Sequence, residues 1–410
     1  MFLKPVKNGS PVKYFCGHSL GLQPVKTKEY INQELEKWAV QGVEGHFEGP
    51  NPWFHYHLLL KKGLSHLCGA KESEVVAYGS LSSNLHNLFA SFYQPTEGKY
   101  KILAEETGFP SDTFALQTQV AFHGYKPEEA IIFLRKDENY CFDTEHILEQ
   151  IKKHHQELAL IWLSGVNFLS GQVFDLKAIA ACAKEYEVKI GIDLAHAIGN
   201  VPLQLHDWDI DFAVWCSYKY LNSGPGATGG YFVHEKHFPQ LTTHNPQLTT
   251  ENNELTTHNP QPTTVLGGWW GNNETTRFQT GQLFSPVPNA DAWQHSNANV
   301  ISLPAVRASL DIFMEADINK LYNKSQKITN KAIETLLNIK SIKILTPGNQ
   351  NGNMISILFP DGNKAVMNKL SEQNFLVDWR DSGIMRFSFN PLYNDEQEWD
   401  QFISYLAEIL

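Results

Sequence analysis

Apolar and aromatic residues recur at Tyr30, Ile31, Leu35 and Trp38 behind a start at Thr27, and this three-to-four spacing predicts a helix with one core-facing side. Residues 1–24 read differently, because Gly17, Gly21 and Pro24 in FCGHSLGLQP punctuate the chain too often for a long helix. GVEGHFEGPNPWF (42–54) has the composition of a loop, and HYHLLLKKGLSHLCG returns to helical spacing. VVAYGSLSSNLHNLFASFY then passes from a β-rich run through a Ser-rich turn into a helix, with Ser82, Ser83 and Asn84 as good N-caps. KILAEE, AIIFL, LALIWLSG, VKIGIDLAH and DFAVWCSY are short strand-like runs; DTFALQTQVAFHG, DTEHILEQIKKHH and LKAIAACAKEYE between several of them are helical in period. Such alternation predicts an α/β fold: βα units forming a mostly parallel sheet with helices on both faces. A helix-rich stretch from Pro304 to Leu337, strand-like SIKIL, MISILF and IMRFSF, and a terminal helix over Glu396 to Leu410 predict a smaller α+β lobe.

The order breaks at residues 241–262, where LTTHNPQ, LTTENNE and LTTHNPQ form a seven-residue repeat. Pro246, Pro260 and the Thr/Asn content forbid a coiled coil, so the repeat is expected to be a mobile surface loop.

Composition narrows the class. A chain of 410 residues with 42% hydrophobic and 19% charged residues is globular and long enough for more than one domain. A net charge of -11 without a basic run argues against nucleic acid or an anionic membrane as partner, leaving small molecules. Five widely spaced cysteines with no C-x-x-C pair suggest neither a disulfide framework nor a zinc site, and no metal is expected. With no signal-like start and no apolar run of bilayer length, a cytoplasmic protein is expected.

Open α/β sheets bind ligands at the carboxyl ends of their strands. Asp193 closes one strand-like run and Lys219 closes another. A partly desolvated lysine loses proton affinity and can form a Schiff base, and an aspartate nearby can keep a pyridine nitrogen protonated. With Ser82 and the helix start behind it receiving a phosphate, the set describes pyridoxal 5′-phosphate (PLP). Each residue also has a plainer reading: a strand-end lysine facing solvent, an aspartate capping its loop, and His196 as a satisfied polar residue.

At DLAHAIGNVPLQLHDWDIDFAVWCSYKYLNSGPG (193–226) the chain resembles the kynureninases, a family of fold-type I PLP enzymes. FCGHSLGLQP, SLSSNLH, GFPSD, SGVNFLSGQ, GGWWGNNETTRF, HSNANV and MRFSFNPLYN extend the likeness from Tyr14 to Asn394. The resemblance implies a PLP-transferase-like large domain over 46–300, a small domain over 301–410, and an N-terminal segment, 1–45, packed on the small domain. It implies that Lys219 carries the cofactor and that Asp193 pairs with the pyridine nitrogen. Phe109 would stack on the ring, Asp112 and His196 would support its polar edge, and Pro110 and Ser111 of the same motif would lie at the cofactor. Leu81, Ser82, Tyr218 and Trp269 would hold the phosphate, with Ser164 and Asn297 nearby. Arg386 would clamp the substrate carboxylate, Ser19 and His46 would line the aromatic end of the pocket, and Tyr218 would serve as acid or base. The implied reaction is hydrolysis of L-kynurenine, or its 3-hydroxy form, to the anthranilate and L-alanine in tryptophan catabolism and NAD biosynthesis, by a homodimer with shared sites.

The family usually reads FCGNSLG where His18 stands, has His after GWWG where Asn272 stands, and reads SLTV in place of SLSS; it has no heptad insertion, and most relatives have a longer start. Two other classes stay open from the residues themselves. A fold-type I desulfurase requires a nucleophilic cysteine on a mobile loop, and a non-enzymatic binding protein would use Trp269 and Trp270 as a contact surface.

Overall fold

The computed structural model describes residues 1–242 and 263–410. Most of the heptad repeat, expected to be a surface loop, therefore lies outside the described residues.

The central sheet has seven strands: β1 (Val75–Ala77), β2 (Lys101–Glu105), β3 (Ile131–Leu134), β4 (Leu158–Ser164), β5 (Lys189–Asp193), β6 (Phe212–Trp215) and β7 (Gly230–Val233). Their spatial order is β1-β7-β6-β5-β4-β2-β3. From β3 to β6 every pairing is parallel, whereas β7 runs antiparallel to both β6 and β1. β7 was absent from the expected strands: its GYFV run is short, wholly buried and without alternation, so neither period marks it.

Both faces of the sheet are covered. α3 (Leu81–Phe92) and α4 (Pro110–Phe122) pack over Ile102, Trp162 and Phe212. On the other face α2 (Leu58–Cys68), α5 (Thr144–His154), α6 (Leu176–Glu185) and α7 (Leu303–Glu315) cover Leu103, Ile161 and Leu163. Burial on both faces explains the near-continuous apolar runs, each large aliphatic side chain contributing about 1.5–3 kcal/mol. At Gly191 a Cβ would come within 2.3 Å of the Phe212 ring. The missing side chain lets β6 close on β5, and Phe212 stacks on Phe92 at 4.6 Å. This packing sets the spacing of the two strands that lead to Asp193 and Lys219.

The smaller lobe is an antiparallel sheet of β8 (Lys343–Ile344), β9 (Met354–Leu358), β10 (Asp378–Arg380) and β11 (Ile384–Ser388), in the order β8-β9-β11-β10. α8 (Ile318–Leu336), α9 (Ala365–Glu372) and α10 (Glu396–Ile409) cover it. The expected helical stretch over 304–337 is two helices, because Asp317 caps α8 through Asn319 N and Lys320 N. Leu303, Val306, Leu310 and Phe313 of α7 belong to the large sheet's core, and the smaller core takes residues from α8 only from Ile328 onward. We propose a lobe boundary inside α8 in place of residue 300.

The chain's start is stitched into this lobe. Lys13–Tyr14 pairs in parallel with Phe375–Leu376, Phe15 packs on Trp399 and Phe402, and Ser388 N donates to Phe15 O at 2.9 Å. Farther on, α1 (Thr27–Gln41) lies against α7.

Candidate active site

Lys219 lies four residues beyond the end of β6, not at the strand end itself. Its turn is held by hydrogen bonds from Asn222 N to Lys219 O (2.9 Å) and Ser223 N to Ser217 O (3.0 Å). Asn222 takes a left-handed conformation, φ 53°, that asparagine tolerates. The Gly-rich turn of the N-terminal segment backs this loop: Gly21 N donates to Tyr218 O at 2.8 Å, and a Cβ on Gly21 would fall 2.3 Å from Lys219 O. Lys219 is buried, with Nζ 5.6 Å from the centre of the Phe109 ring and 5.9 Å from that of Tyr218.

Two buried carboxyls, Asp112 from the first turn of α4 and Asp193 from the end of β5, are close enough to shift each other's ionisation. Asp112 also accepts from Trp162 Nε1 at 3.2 Å, and Asp193 from Ala195 N at 2.7 Å. Burial, then the charge of Asp193, pushes Asp112 well above the ordinary carboxylate range. Burial raises Asp193 too, but the Lys219 charge, the Ala195 N–H and the neighbouring Asp112 oppose it. Asp112 therefore keeps the proton and Asp193 carries the charge. An amide can replace a protonated carboxyl, so Asp112→Asn should change the unfolding free energy by less than about 1 kcal/mol. Asp193→Asn should lower kcat/KM by at least about 100-fold, the scale of a lost preorganised electrostatic contact. Denaturant titration and steady-state kinetics on both variants check this pair.

His196 is buried beside them, and burial together with the Lys219 and Arg386 charges holds its imidazole neutral. Glu105, at the end of β2, was not singled out in the sequence. It is buried, accepts from Ser164 N at 2.5 Å and from Asn167 Nδ2 at 2.8 Å, and so fixes the loop after β4. That loop carries Phe168, whose ring supports Phe109 edge-on at 5.3 Å. Phe109 is 39% exposed, which leaves its ring open on one side. The only advance sign of Glu105 was an acid closing an apolar run.

Two helix starts meet here, with Ser82 Oγ and Ser111 Oγ 2.9 Å apart. The N-cap of α3 is Ser80, not the expected Ser82, Ser83 or Asn84, because Ser80 and Ser83 form a reciprocal capping box. The early N–H groups of Leu81 and Ser82 have no carbonyl within the helix to bond, which suits an anion.

Arg386, on β11, is 1% exposed. Asp378, directly across on β10, accepts from its Nε at 2.7 Å and its Nη2 at 2.5 Å, while Phe168 O takes Nη1 at 2.5 Å. A guanidinium has five N–H groups, so two remain for a ligand. Burial would raise the Asp378 carboxyl, but His18 at 3.7 Å and the Arg386 guanidinium hold it far below its usual range. His18 is wholly buried and hydrogen-bonds through Nδ1 to Ser388 Oγ at 3.2 Å. In the sequence His18 stands out only as a departure from the family pattern, and Asp378 does not stand out.

The chain does not gather every expected residue. Ser164 is buried at the end of β4, Pro110 opens α4, and Ser19 is half-buried in the Gly-rich turn with its N–H on Cys16 O. His46 packs edge-on against Trp53 at 5.2 Å with Nδ1 on Val43 O. Trp269 packs edge-on against Trp270 and Phe278, and Asn297 is exposed beside Ser296. None of these contacts of His46, Trp269 and Asn297 reaches Lys219.

PLP fits what is present. The arrangement supplies an amine, a charged carboxylate, an open aromatic face and free helix-start N–H groups. The side-chain atoms Asp112 Oδ1, His196 Nδ1 and Ser217 Oγ are buried without a hydrogen-bond partner among the described residues. Fold and site together define a PLP-dependent enzyme of the aminotransferase class. The aminotransferase class-V family matches residues 30–259, and the kynureninase C-terminal domain matches residues 321–406. A C-DES variant with glycine linked to its PLP cofactor has a similar fold (TM-score 0.76, 15% identity, 97% of this chain and 96% of that one). So does a cysteine desulfurase from Thermococcus onnurineus (TM-score 0.73, 17% identity, 97% and 94%). Sequence similarity goes further. The kynureninase of Myxococcus xanthus is 43% identical over 98% of this chain and 91% of that protein, and that of Yarrowia lipolytica is 39% identical over 98% and 95%. The chain belongs to the kynureninase family.

Proposed function

We propose that Lys219, Asp193, Tyr218 and Arg386 carry the hydrolytic Cβ–Cγ cleavage of L-kynurenine to anthranilate and L-alanine, the reaction of this PLP-dependent hydrolase. The observation that carries this reading is the single convergence of Lys219, the charged Asp193 and the open ring of Phe109 at the carboxyl end of the sheet. When bound, PLP supplies an electron sink for the carbon–carbon bond that breaks. Lys219 would hold it, and its amine, when free, would take the Cα proton. Asp193 would keep a proton on the ring nitrogen, and Leu81, Ser82 and Ser111 would receive the phosphate at the two helix starts. The neutral His196 and Asp112 support the polar edge without adding charge. Arg386 offers its two remaining N–H groups to the α-carboxylate, and its bonds to Asp378 and Phe168 O keep the fork from turning. Burial raises the Tyr218 phenol above its ordinary range, so Tyr218 acts as a proton donor to the γ-carbonyl oxygen as water adds, rather than as a base.

The cysteines argue against desulfurase chemistry. Burial pushes the Cys16 thiol up to about 12 and the half-buried Cys141 thiol up to about 11, and it raises Cys68, Cys182 and Cys216 as well. None is the exposed, low-pKa thiolate that attack on sulfur requires.

None of the contacts of Trp269, Asn297 and His46 includes Lys219, and Phe47, Phe278 and Leu283 leave large apolar surfaces exposed near Trp269. Both facts support a homodimer in which Trp269 and Asn297 complete the site of a second copy. No helix among the described residues is long and apolar enough to cross a membrane, in keeping with a cytoplasmic enzyme. The deciding assay incubates the PLP-loaded protein with L-kynurenine and, separately, its 3-hydroxy form, following the fluorescent aromatic amine. Release from at least one supports the assignment, and release from neither rejects it.

A further inference from the structure

At the opposite edge of the sheet, Glu74 just before β1, His206 ahead of β6 and His234 just after β7 bring a carboxylate and two imidazoles together. One ligand atom from each lies within 4.8 Å of the others. We propose that Glu74, His206 and His234 form a binding site for a transition-metal ion of the zinc type, separate from the catalytic centre.

The direction of each group is fixed by its neighbours. Glu74 is wholly buried; its Oε1 accepts from Glu235 N and its Oε2 from Lys71 N, both at 2.8 Å, so two backbone N–H groups fix the carboxylate's direction. Lys236 N donates to His234 Nδ1 at 3.1 Å, which makes that nitrogen the unprotonated one; its one lone pair holds this N–H, and an ion bound there takes the N–H's place. His234 Nε2 carries the hydrogen and points at His206 O (3.2 Å) and Asp209 Oδ1 (3.5 Å). A metal-bound histidine is oriented in this same way, its outer N–H held by a carbonyl or carboxylate. His206 stacks on His234 at 4.7 Å and straddles both Glu74 oxygens through Nδ1, at 2.9 and 3.1 Å.

Two changes admit the metal: the Lys236 N–H releases His234 Nδ1, and the Nδ1 proton of His206 moves to water or to the ring's own Nε2, so that the ion takes the place of that proton between imidazole and carboxylate. The ligand set is then two nitrogens and one oxygen, the donors a four-coordinate zinc accepts at about 2.0–2.2 Å, with water as the fourth. The ligand atoms need to shift by only about an ångström from their present separations. His206 also lines an open cavity with Lys62, His66, Lys71 and Asp207, which provides a path for the ion and the water. The site ties three chain segments together beside β1, β7 and β6, so its effect is on stability and not on turnover.

Zinc chloride titrated calorimetrically into the PLP-loaded enzyme should show one saturable equivalent, and cobalt(II) should give the visible difference spectrum of a tetrahedral ion that zinc removes. His206→Ala, at a partly exposed position, should weaken that equivalent by more than about 100-fold, and the outer-sphere variant Asp209→Asn by about 10-fold. His234→Ala is buried and is used only if it folds. Zinc should raise the melting temperature of the wild type and leave that of His206→Ala unchanged. No saturable equivalent in the wild type, or equal affinity in His206→Ala, overturns the proposal. Neither result bears on kynurenine hydrolysis, which is measured separately.

Discussion

Lys219→Ala is expected to lower kcat by at least about 10⁴-fold, the upper range for a lost acid–base group, because the same nitrogen both holds the cofactor and moves the Cα proton. The variant should also lack the visible absorption of a lysine-bound pyridoxal group while keeping the far-UV spectrum of the wild type. A structural role would lower both together, so the spectroscopic readout separates the two explanations. Removing the Lys219 charge takes away one of the influences that oppose protonation of Asp193, so the Asp112–Asp193 pair should bind protons more tightly in the variant. Residual turnover within about tenfold of the wild type would remove Lys219 from the reaction.

The second large effect belongs to Arg386. Arg386→Ala removes the guanidinium that makes two contacts to Asp378, leaving that carboxylate with Arg380 Nε at 3.0 Å as its remaining close partner. Breaking a buried ion pair from one side costs about 3–5 kcal/mol, and the surviving Arg380 contact places the expected loss near 3 kcal/mol. Arg386→Lys separates recognition from stability. It keeps the charge but loses the planar fork, so KM should rise roughly 10- to 100-fold while kcat changes much less. If KM for the lysine variant matches that of the wild type, the α-carboxylate is held elsewhere.

Much of this molecule was legible in advance, and for definite physical reasons. Strands buried on both faces write themselves as short apolar runs, and helices over them keep their period, so β2 to β6 and most helices stood out. The strand-end rule placed Asp193 and Lys219 at one edge before any contact was known. What stayed hidden depends on groups far apart in sequence. Asp378 reads as an ordinary acid until the register of β10 and β11 sets it against Arg386. Glu105 gains its role only when the loop after β4 returns to it. Ser80 was passed over because several neighbouring residues cap equally well in isolation, and only the Ser83 partner decides among them. For Trp269 and Asn297 no contact within the single chain joins them to Lys219.

The stitching of Lys13–Phe15 to Phe375–Leu376 and Ser388 has a consequence for biosynthesis. A ribosome releases these opening residues hundreds of peptide bonds before their strand partners exist, so during translation they wait unpaired while the large sheet condenses. The lobe that carries Arg386, the proposed carboxylate clamp, is then completed last, when the nascent tail emerges and captures the waiting head.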